Sequence, residues 1–383
     1  MSVKALRHGY TTGACAAAAA KGAARMLREQ RFLEEIEICL PLGERAMFPL
    51  HGQEFDERYA ACFVVKDAGD DPDVTNGAEI HATVRREPLK RPGAKTMVFV
   101  SGGQGVGKVT KPGLAVPVGE PAINPVPLRM ITGGVREEFP VCLPQILTVT
   151  ISIPNGVELA KKTLNERLGI VGGLSILGTT GIVRPISAKA WTDTIDVAID
   201  VALACGSRTV VLSTGRTSEL VAQKAVGTGD WGLGTGKNIK EEAFVMMGDH
   251  VGHALRACVR KGVEHVILAG QFAKLLKIAC GHEQTHVNSS ELDLRTLAEW
   301  LELRTLQARS FGQNSSGPQF GSELKTAVAE ANTARQVLEA SGNDPALVEL
   351  VCGRVRLFAE MIAPGVDVKV LLAGYNAEVL YFG

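Results

Sequence analysis

Apolar residues recur along this chain in two different rhythms. In the first 150 residues they gather into short strand-like runs at 36–40, 59–66, 79–85, 96–101 and 147–153. Turn residues separate the runs, among them Asp70-Asp71-Pro72 and Arg91-Pro92-Gly93. One helix precedes them. Thr11 or Thr12 offers a cap, and residues 14–26, rich in alanine, have high helix propensity. Lys21, Arg25 and Arg28 fall at i, i+4 and i+7 of that helix and predict one solvated face. Between Gly102 and Pro144 glycines and prolines break the rhythm, which predicts a long irregular stretch with enough apolar residues to stay ordered.

From about Thr192 apolar strands alternate with amphipathic helices. Strands are expected at 209–212, 243–247, 265–269 and 367–372. Helices are expected around Ile195–Leu203 and at 219–225, 253–260, 272–279, 292–307, 323–340 and 347–362. Gly262 ends one of them, and Asn343-Asp344-Pro345 starts the last. This alternation predicts a parallel sheet. The fold class is therefore α/β: an α+β N-terminal domain followed by a Rossmann-like α/β C-terminal domain with a mainly parallel sheet. The expected boundaries are 1–150 for the first domain, 151–190 for a glycine-rich connecting segment and 191–383 for the second.

Charge narrows the functional classes. The 383 residues hold 41 Lys and Arg against 41 Asp and Glu, so no net field attracts nucleic acid or a membrane surface. An anionic ligand would have to be held by local basic groups. The eight cysteines form no C-x-x-C pair, and free thiols in a reducing cytoplasm are expected. No apolar run approaches the roughly 20 residues of a membrane span, so a cytoplasmic protein is expected.

Several segments carry candidate chemistry. Residues 168–187, LGIVGGLSILGTTGIVRPIS, mix five glycines and several hydroxyls with β-branched apolar residues. Such a segment is buried and must bend or approach something closely. A ligand wall and a glycine-kinked packing segment both satisfy that reading. Residues 102–108, GGQGVGK, match G-x-x-x-x-G-K, but Val109 replaces the hydroxyl that would bind Mg²⁺ and no helix follows. Its amides, with Lys108 and Lys111 beside them, could instead meet carboxylates. Residues 227–232 match G-x-G-x-x-G after a helix rather than a strand, so they read as a surface loop.

The ends of the expected parallel strands are better placed. Ser213, Thr214 and Gly215 follow the first strand, Gly248 and Asp249 the second, and Gly270 the third. Ligands of open parallel sheets sit beyond such carboxyl ends, so these six residues form a candidate adenosine site. Residues 66–73 gather four acids, readable either as a solvated turn or as proton acceptors. His286 is a candidate titrating group. The histidine and cysteine spacings complete no metal set, and none is expected.

Four blocks together resemble one family: Tyr10–Gly13 with its alanine helix; residues 66–75, KDAGDDPDVT; residues 102–114 running on to 118–127, VGEPAINPVP; and residues 151–187. Ser213–Arg216, 248–252 and 282–286 follow in order. The chain is similar over nearly its whole length to the cobalt-precorrin-5B C1-methyltransferases, the CbiD family of anaerobic cobalamin biosynthesis. It departs from them at Ala14, where the family usually has a polar residue, and at residues 227–237, which run longer.

The resemblance implies S-adenosylmethionine as methyl donor and a cobalt-bearing tetrapyrrole as small-molecule substrate, with no nucleic-acid or membrane partner. A homo-oligomer stays open. The acceptor's many carboxylates call for placed cations and polar groups: Lys108, Lys111, Arg129 and Arg184, with Thr11, Thr12, Asn124, Thr179 and Thr180 as further substrate-binding candidates. Asp70 and Asp71 are the candidates for moving a ring proton, beside His286. On this reading the first domain is the tetrapyrrole side, the last the donor side, and 151–190 lines a cleft. The rival readings are a nucleotide-dependent ligase or kinase using residues 102–108, and a non-catalytic tetrapyrrole carrier.

Overall fold

The alanine run forms helix α1 (Thr12–Glu29), and Thr11 caps it: its Oγ1 accepts the Ala14 N–H at 3.2 Å. This is seen in a computed structural model that describes residues 6–88, 96–139, 145–227, 239–310, 328 and 331–383. The chain divides into two units, Met1–Ala188 and Lys189–Gly383.

The strands of the first unit are β1 (Gly9–Tyr10), β2 (Glu35–Cys39), β3 (Arg45–Pro49), β4 (His51–Phe55), β5 (Tyr59–Val65), β6 (Glu79–Pro88), β7 (Met97–Gly102), β8 (Lys108–Val109), β9 (Gln145–Ser152), β10 (Ile170–Val171) and β11 (Ile182–Val183). Five make one sheet in the order β4-β5-β6-β9-β7, antiparallel except for β7 on β9. Alternate residues Ala60, Cys62 and Val64, Ile80, Ala82 and Val84, and Leu147, Val149 and Ile151 are buried in one core with the alanines of α1. Alanine lets the helix backbone come close enough for Cys62 Sγ to reach the Ala19 carbonyl at 3.2 Å. β2–β3, β1–β11 and β8–β10 are small antiparallel pairs.

Two expectations change here. The stretch from Gly102 to Pro144 is not irregular throughout: it contains helix α2 (Pro125–Glu137). Two prolines and the Gly133-Gly134 pair hide that helix from propensity, and packing against α1 sustains it. The basic face of α1 is consequently only partly solvated. Lys21 pairs with Glu137 at 2.8 Å, and Arg25 and Arg28 hold the buried Glu138 at 2.8 and 3.1 Å. Strands β3 and β4 were also unforeseen, because Arg45 and the polar run His51–Glu54 mask their apolar positions. The turn at Arg91-Pro92-Gly93 lies outside the described residues.

Residues 151–187, with the short helix α3 (Gly156–Ala160) among them, belong to the first unit rather than standing apart as a connector. Backbone hydrogen bonds fix them there. Ile153 N–H donates to Gln104 O, Leu174 N–H to Gly105 O, Ile176 N–H to Ala122 O, and Thr11 N–H to Gly181 O, all at 2.8–3.0 Å.

The second unit is α/β. Helix α4 (Ala188–Ala204) leads to β12 (Thr209–Ser213), α5 (Arg216–Gly227), β13 (Phe244–Met246), α6 (Val251–Lys261), β14 (His265–Gln271), α7 (Phe272–Ala279), α8 (Leu294–Ser310), α9 (Ala334–Ala340), α10 (Pro345–Ile362), β15 (Asp367–Ala373) and β16 (Val379–Phe382). The sheet order is β13-β12-β14-β15-β16; the first four strands are parallel and β16, unforeseen, is antiparallel. Val221, Ala222 and Ala225 of α5 pack on Val211, Ile267 and Leu371. Residues of α4, α6, α7 and α10 pack with Val210, Val266, Leu268 and Val370 in a second core. Asp344 caps α10 by accepting from Ala346 and Leu347 N–H. Part of the expected helix 323–340 lies outside the described residues, as does the loop 228–238. No helix among the described residues is long and apolar enough to cross a membrane.

Candidate functional site

The chain leaves β12 for β13 on one side and then crosses back to β14 on the other, so the strand order reverses between β12 and β14. In open parallel sheets the carboxyl ends at such a reversal are the usual ligand position. Ser213–Gly215 end β12 there and Gly270 ends β14. The Thr214 N–H donates to Ala269 O at 3.0 Å and ties the two ends together. Ser213 is fully buried, and its carbonyl accepts from both Met247 and Gly248 N–H at 3.0 and 3.2 Å. Ser218 Oγ bridges the Gly215 N–H and carbonyl at 3.2 and 2.9 Å. A Cβ added at Gly215 would meet nothing within 4 Å, so this turn is open.

Gly248 (φ +58°) ends β13 under Trp191, whose indole N–H donates to Met247 O at 3.1 Å. Next to it Asp249 is already engaged. Its Oδ1 accepts from Lys274 Nζ and, at 2.6 Å, from Thr285 Oγ1. Burial would raise the Asp249 carboxyl, but those bonds and the Lys274 charge outweigh it and hold it below the ordinary aspartate value. Lys277 Nζ donates to the carbonyls of Thr285 and Ser290, and burial with the neighbouring Lys274 lowers its pKa. His286 is exposed in the same loop, where its Nδ1 accepts the Asn288 N–H at 3.2 Å. All six adenosine-site candidates and His286 thus lie in the second unit, and the sheet edge collects them.

The first unit collects the remaining candidates along residues 168–187. At one end β10 pairs with β8, placing Lys108 opposite Val171, both exposed. Lys111 folds over Gly169, with Nζ 3.3 Å from Arg167 O. In the middle, Leu177 and Asn124 lie beside the start of α1. Asn124 N–H donates to Ile176 O at 2.9 Å, and its side chain makes no capping bond. Thr11 and Thr12 are buried; Thr11 caps α1, while Thr12 Oγ1 accepts the Leu177 N–H at 3.0 Å. Thr180 Oγ1 bonds the Ile182 backbone, and Thr179 is exposed.

At the far end β11 pairs with β1, and the acidic turn packs beside them. Asp70 accepts the Arg7 N–H at 2.7 Å, and Asp71 accepts the Ile186 N–H at 2.9 Å. Lys66 is buried to 1 % side-chain exposure and pairs with Asp73 at 2.6 Å. Arg129 and Arg184 are exposed and, like Lys108, meet no partner among the described residues. Cys15 lies in the buried face of α1, where desolvation pushes its thiol up to about 12, so it is no nucleophile.

The amides of residues 102–108 are not the open donors expected of a phosphate loop. Gly103 N–H donates to Ile151 O, Val106 N–H to Gly103 O and Gly107 N–H to Leu174 O. Lys108 sits in a strand with no helix after it. The G-x-G-x-x-G run lies outside the described residues from 228 onward. Among the described residues no group of three or more His, Cys, Asp or Glu is close enough to hold a metal.

Some residues of these sites carry no motif. Trp191 and Lys274 are found only through their contacts. Glu378 follows the fourth parallel strand, β15, and extending the strand-end rule to that strand would have pointed to it.

An α+β unit with exposed Lys108, Arg129 and Arg184 and an α/β unit whose parallel sheet reverses strand order define a two-unit α/β protein. The sequence model of the family described as CbiD matches residues 1–185. The cobalt-precorrin-5B C(1)-methyltransferase of Geobacter metallireducens is 73 % identical over 100 % of both chains, and that of Geobacter sulfurreducens 72 % over 100 % of both. A crystal structure of the cobalamin biosynthesis protein cbiD from Archaeoglobus fulgidus is 29 % identical, covering 73 % of this chain and 81 % of its own, with a TM-score of 0.36. The chain belongs to the CbiD family.

Proposed function

We propose that this chain transfers the methyl group of S-adenosylmethionine to C1 of cobalt-precorrin-5B, giving cobalt-precorrin-6A in the anaerobic, early-cobalt route to cobalamin. The observation that carries this is full-length identity of 73 % to a protein named for that methylation. Cobalt enters as part of the tetrapyrrole substrate.

The sheet edge fits a nucleoside donor. Gly215 leaves room, Thr214 and Gly270 flank the reversal, and one carboxylate oxygen at the same edge, on Glu378, is buried without a partner. Bound there, the donor supplies an electrophilic sulfonium methyl. Ser213 and Gly248 fix the ends of β12 and β13, and Asp249, held by Lys274 and Thr285, fixes the loop beside them.

The first unit fits an anionic macrocycle. Lys108, Arg129 and Arg184 are free cations for acetate and propionate groups. Asn124 and Thr179 add hydrogen bonds, and exposed Val171, Leu177 and Ile186 offer apolar surface to a flat ring. Lys111, Thr11, Thr12 and Thr180 support that surface through their backbone bonds. On this reading exposed Asp70 accepts a ring proton, with Asp71 holding the Ile186 backbone and His286 as the alternative acceptor. Transfer to carbon needs alignment and exclusion of water rather than covalent help.

The test is mass spectrometry of the purified chain with both substrates. One methyl added per macrocycle and one S-adenosylhomocysteine formed are expected. Binding of the tetrapyrrole without consumption of S-adenosylmethionine would instead make the chain a carrier.

A further inference from the structure

β15 ends in register with β14, Ala373 opposite Gln271, at the same carboxyl edge that bears Ser213–Gly215. The chain then turns back through residues 374–378 into β16. Gly374 N–H donates to Glu378 O at 2.9 Å, and Ala377 takes φ +61°, a left-handed conformation that costs an alanine about 1 kcal/mol or more. The turn folds the Glu378 side chain over Gly374, where any Cβ would overlap the carboxylate. Its Oε2 is buried without a hydrogen-bond donor, and no cation meets it among the described residues. Asp249, another acid at this edge, is paired with Lys274.

An unpaired, buried carboxylate oxygen is costly, and a strained turn that holds it is a mark of a ligand site. The carboxylate lies one strand from the reversal between β12 and β14, and strands are spaced about 4.8 Å apart. A nucleoside seated at that reversal spans this distance. Its vicinal ribose hydroxyls are paired neutral donors, which the two oxygens of a carboxylate accept side by side. Resting on the methyltransferase reading above, we propose that Glu378 is the acceptor for the ribose hydroxyls of the methyl donor. Gly374 makes room for it.

Calorimetry on the full chain with tetrapyrrole present tests this, using S-adenosylhomocysteine and its 2′-deoxy, 3′-deoxy and deaminated analogues. Glu378→Gln is expected to weaken S-adenosylhomocysteine about tenfold or more, as loss of a charged hydrogen bond does. The deoxy analogues should lose comparable affinity on the wild-type chain and little more on the variant. Glu378→Gln should melt no lower than the wild type, because no donor in the protein meets the buried oxygen; a lower melting temperature would mark a structural role and sink the assignment. So would equal affinity in both proteins, or coupling to the deaminated analogue instead of the deoxy ones. If the wild-type chain binds no S-adenosylhomocysteine at all, the methyltransferase reading fails and this assignment with it.

Discussion

Gly173 in the first unit and Gly215 in the second do opposite things. Along residues 168–187 the closest glycines are filled by the protein itself. A Cβ on Gly173 would run into the Gly105 carbonyl, backbone against backbone. At the sheet edge of the second unit Gly215 is bare, with nothing within 4 Å of where a Cβ would stand. Packing is therefore the task of Gly169, Gly173, Gly178 and Gly181, whereas Gly172 has open space beside it. On the function proposed above, contact with the ligand would fall to exposed side chains between and beside them: Leu177, Thr179, Arg184, Lys108 and Arg129. Glycine content finds segments under close constraint, and only the neighbour of the missing Cβ says whether a ligand or the chain itself imposes it.

The largest expected effect breaks that comparison most directly. Gly173→Ala must move the Gly105 backbone and should destabilise the first unit by about 3 kcal/mol or more. Gly215→Ala should stay within about 0.5 kcal/mol of wild type in stability, while weakening S-adenosylhomocysteine binding. Thermal unfolding followed by circular dichroism, beside calorimetry, separates the two. Equal melting temperatures for both variants would erase the distinction.

Next in size is the buried pair under the acidic turn. Asp73→Asn leaves Lys66 buried without its partner and should cost about 3 kcal/mol. Burial raises the Asp73 carboxyl, but bonds from Lys66 and Thr75 outweigh it and leave the folded value below the ordinary one. A lowered folded pKa stabilises at pH above the unfolded value, about 3.9 for aspartate. That contribution drains away as pH falls from there through the folded value. Urea midpoints measured against pH should therefore fall more steeply below about pH 4 in the wild type than in Asp73→Asn. Parallel curves would show that the pair does not couple to folding.

The two units also differ in how much their sequences disclosed. In the second, alternation of strands and helices predicted β12 to β15 closely, because each strand is short and apolar and each helix has one apolar face. The strand-end rule then led to Ser213–Gly215, Gly248, Asp249 and Gly270. It did not say that Asp249 is already paired with Lys274, since those two residues are 25 apart and meet only through the fold. In the first unit α2 escaped because its prolines and glycines lower local propensity while contact with α1 restores the helix. The roles of Thr11 and Thr12 were equally hidden, because Thr12 bonds Leu177 across 165 residues. Long-range hydrogen bonds of this kind leave no periodic trace.

A moderate effect tests the cations of the first unit. Arg129→Ala and Arg184→Ala should each lower kcat/KM about tenfold, mainly through KM, with stability unchanged within about 0.5 kcal/mol. The wild-type KM should also rise with salt, since exposed charges are screened. Lys111→Ala should reverse the pattern, because that side chain covers Gly169 and bonds Arg167 O. Steady-state kinetics and melting curves on the three variants decide it. A KM effect for Lys111 alone would reverse the assignment of free and tethered cations.

The smallest expected effect concerns Ile186. Its φ of +53° is rarely tolerated by a β-branched residue, and the residue is 77 % exposed. Asp71 holds the strained backbone by accepting the Ile186 N–H. Asparagine adopts this conformation more readily, so Ile186→Asn should stabilise the chain by up to about 1 kcal/mol. If Ile186 serves the tetrapyrrole as apolar surface, the same change should raise KM while raising the melting temperature. A gain in stability with unchanged KM would place Ile186 outside the ligand surface and leave its exposure without a use. The two readouts moving in opposite senses would mark a residue kept at the expense of stability, as strained residues at binding sites are.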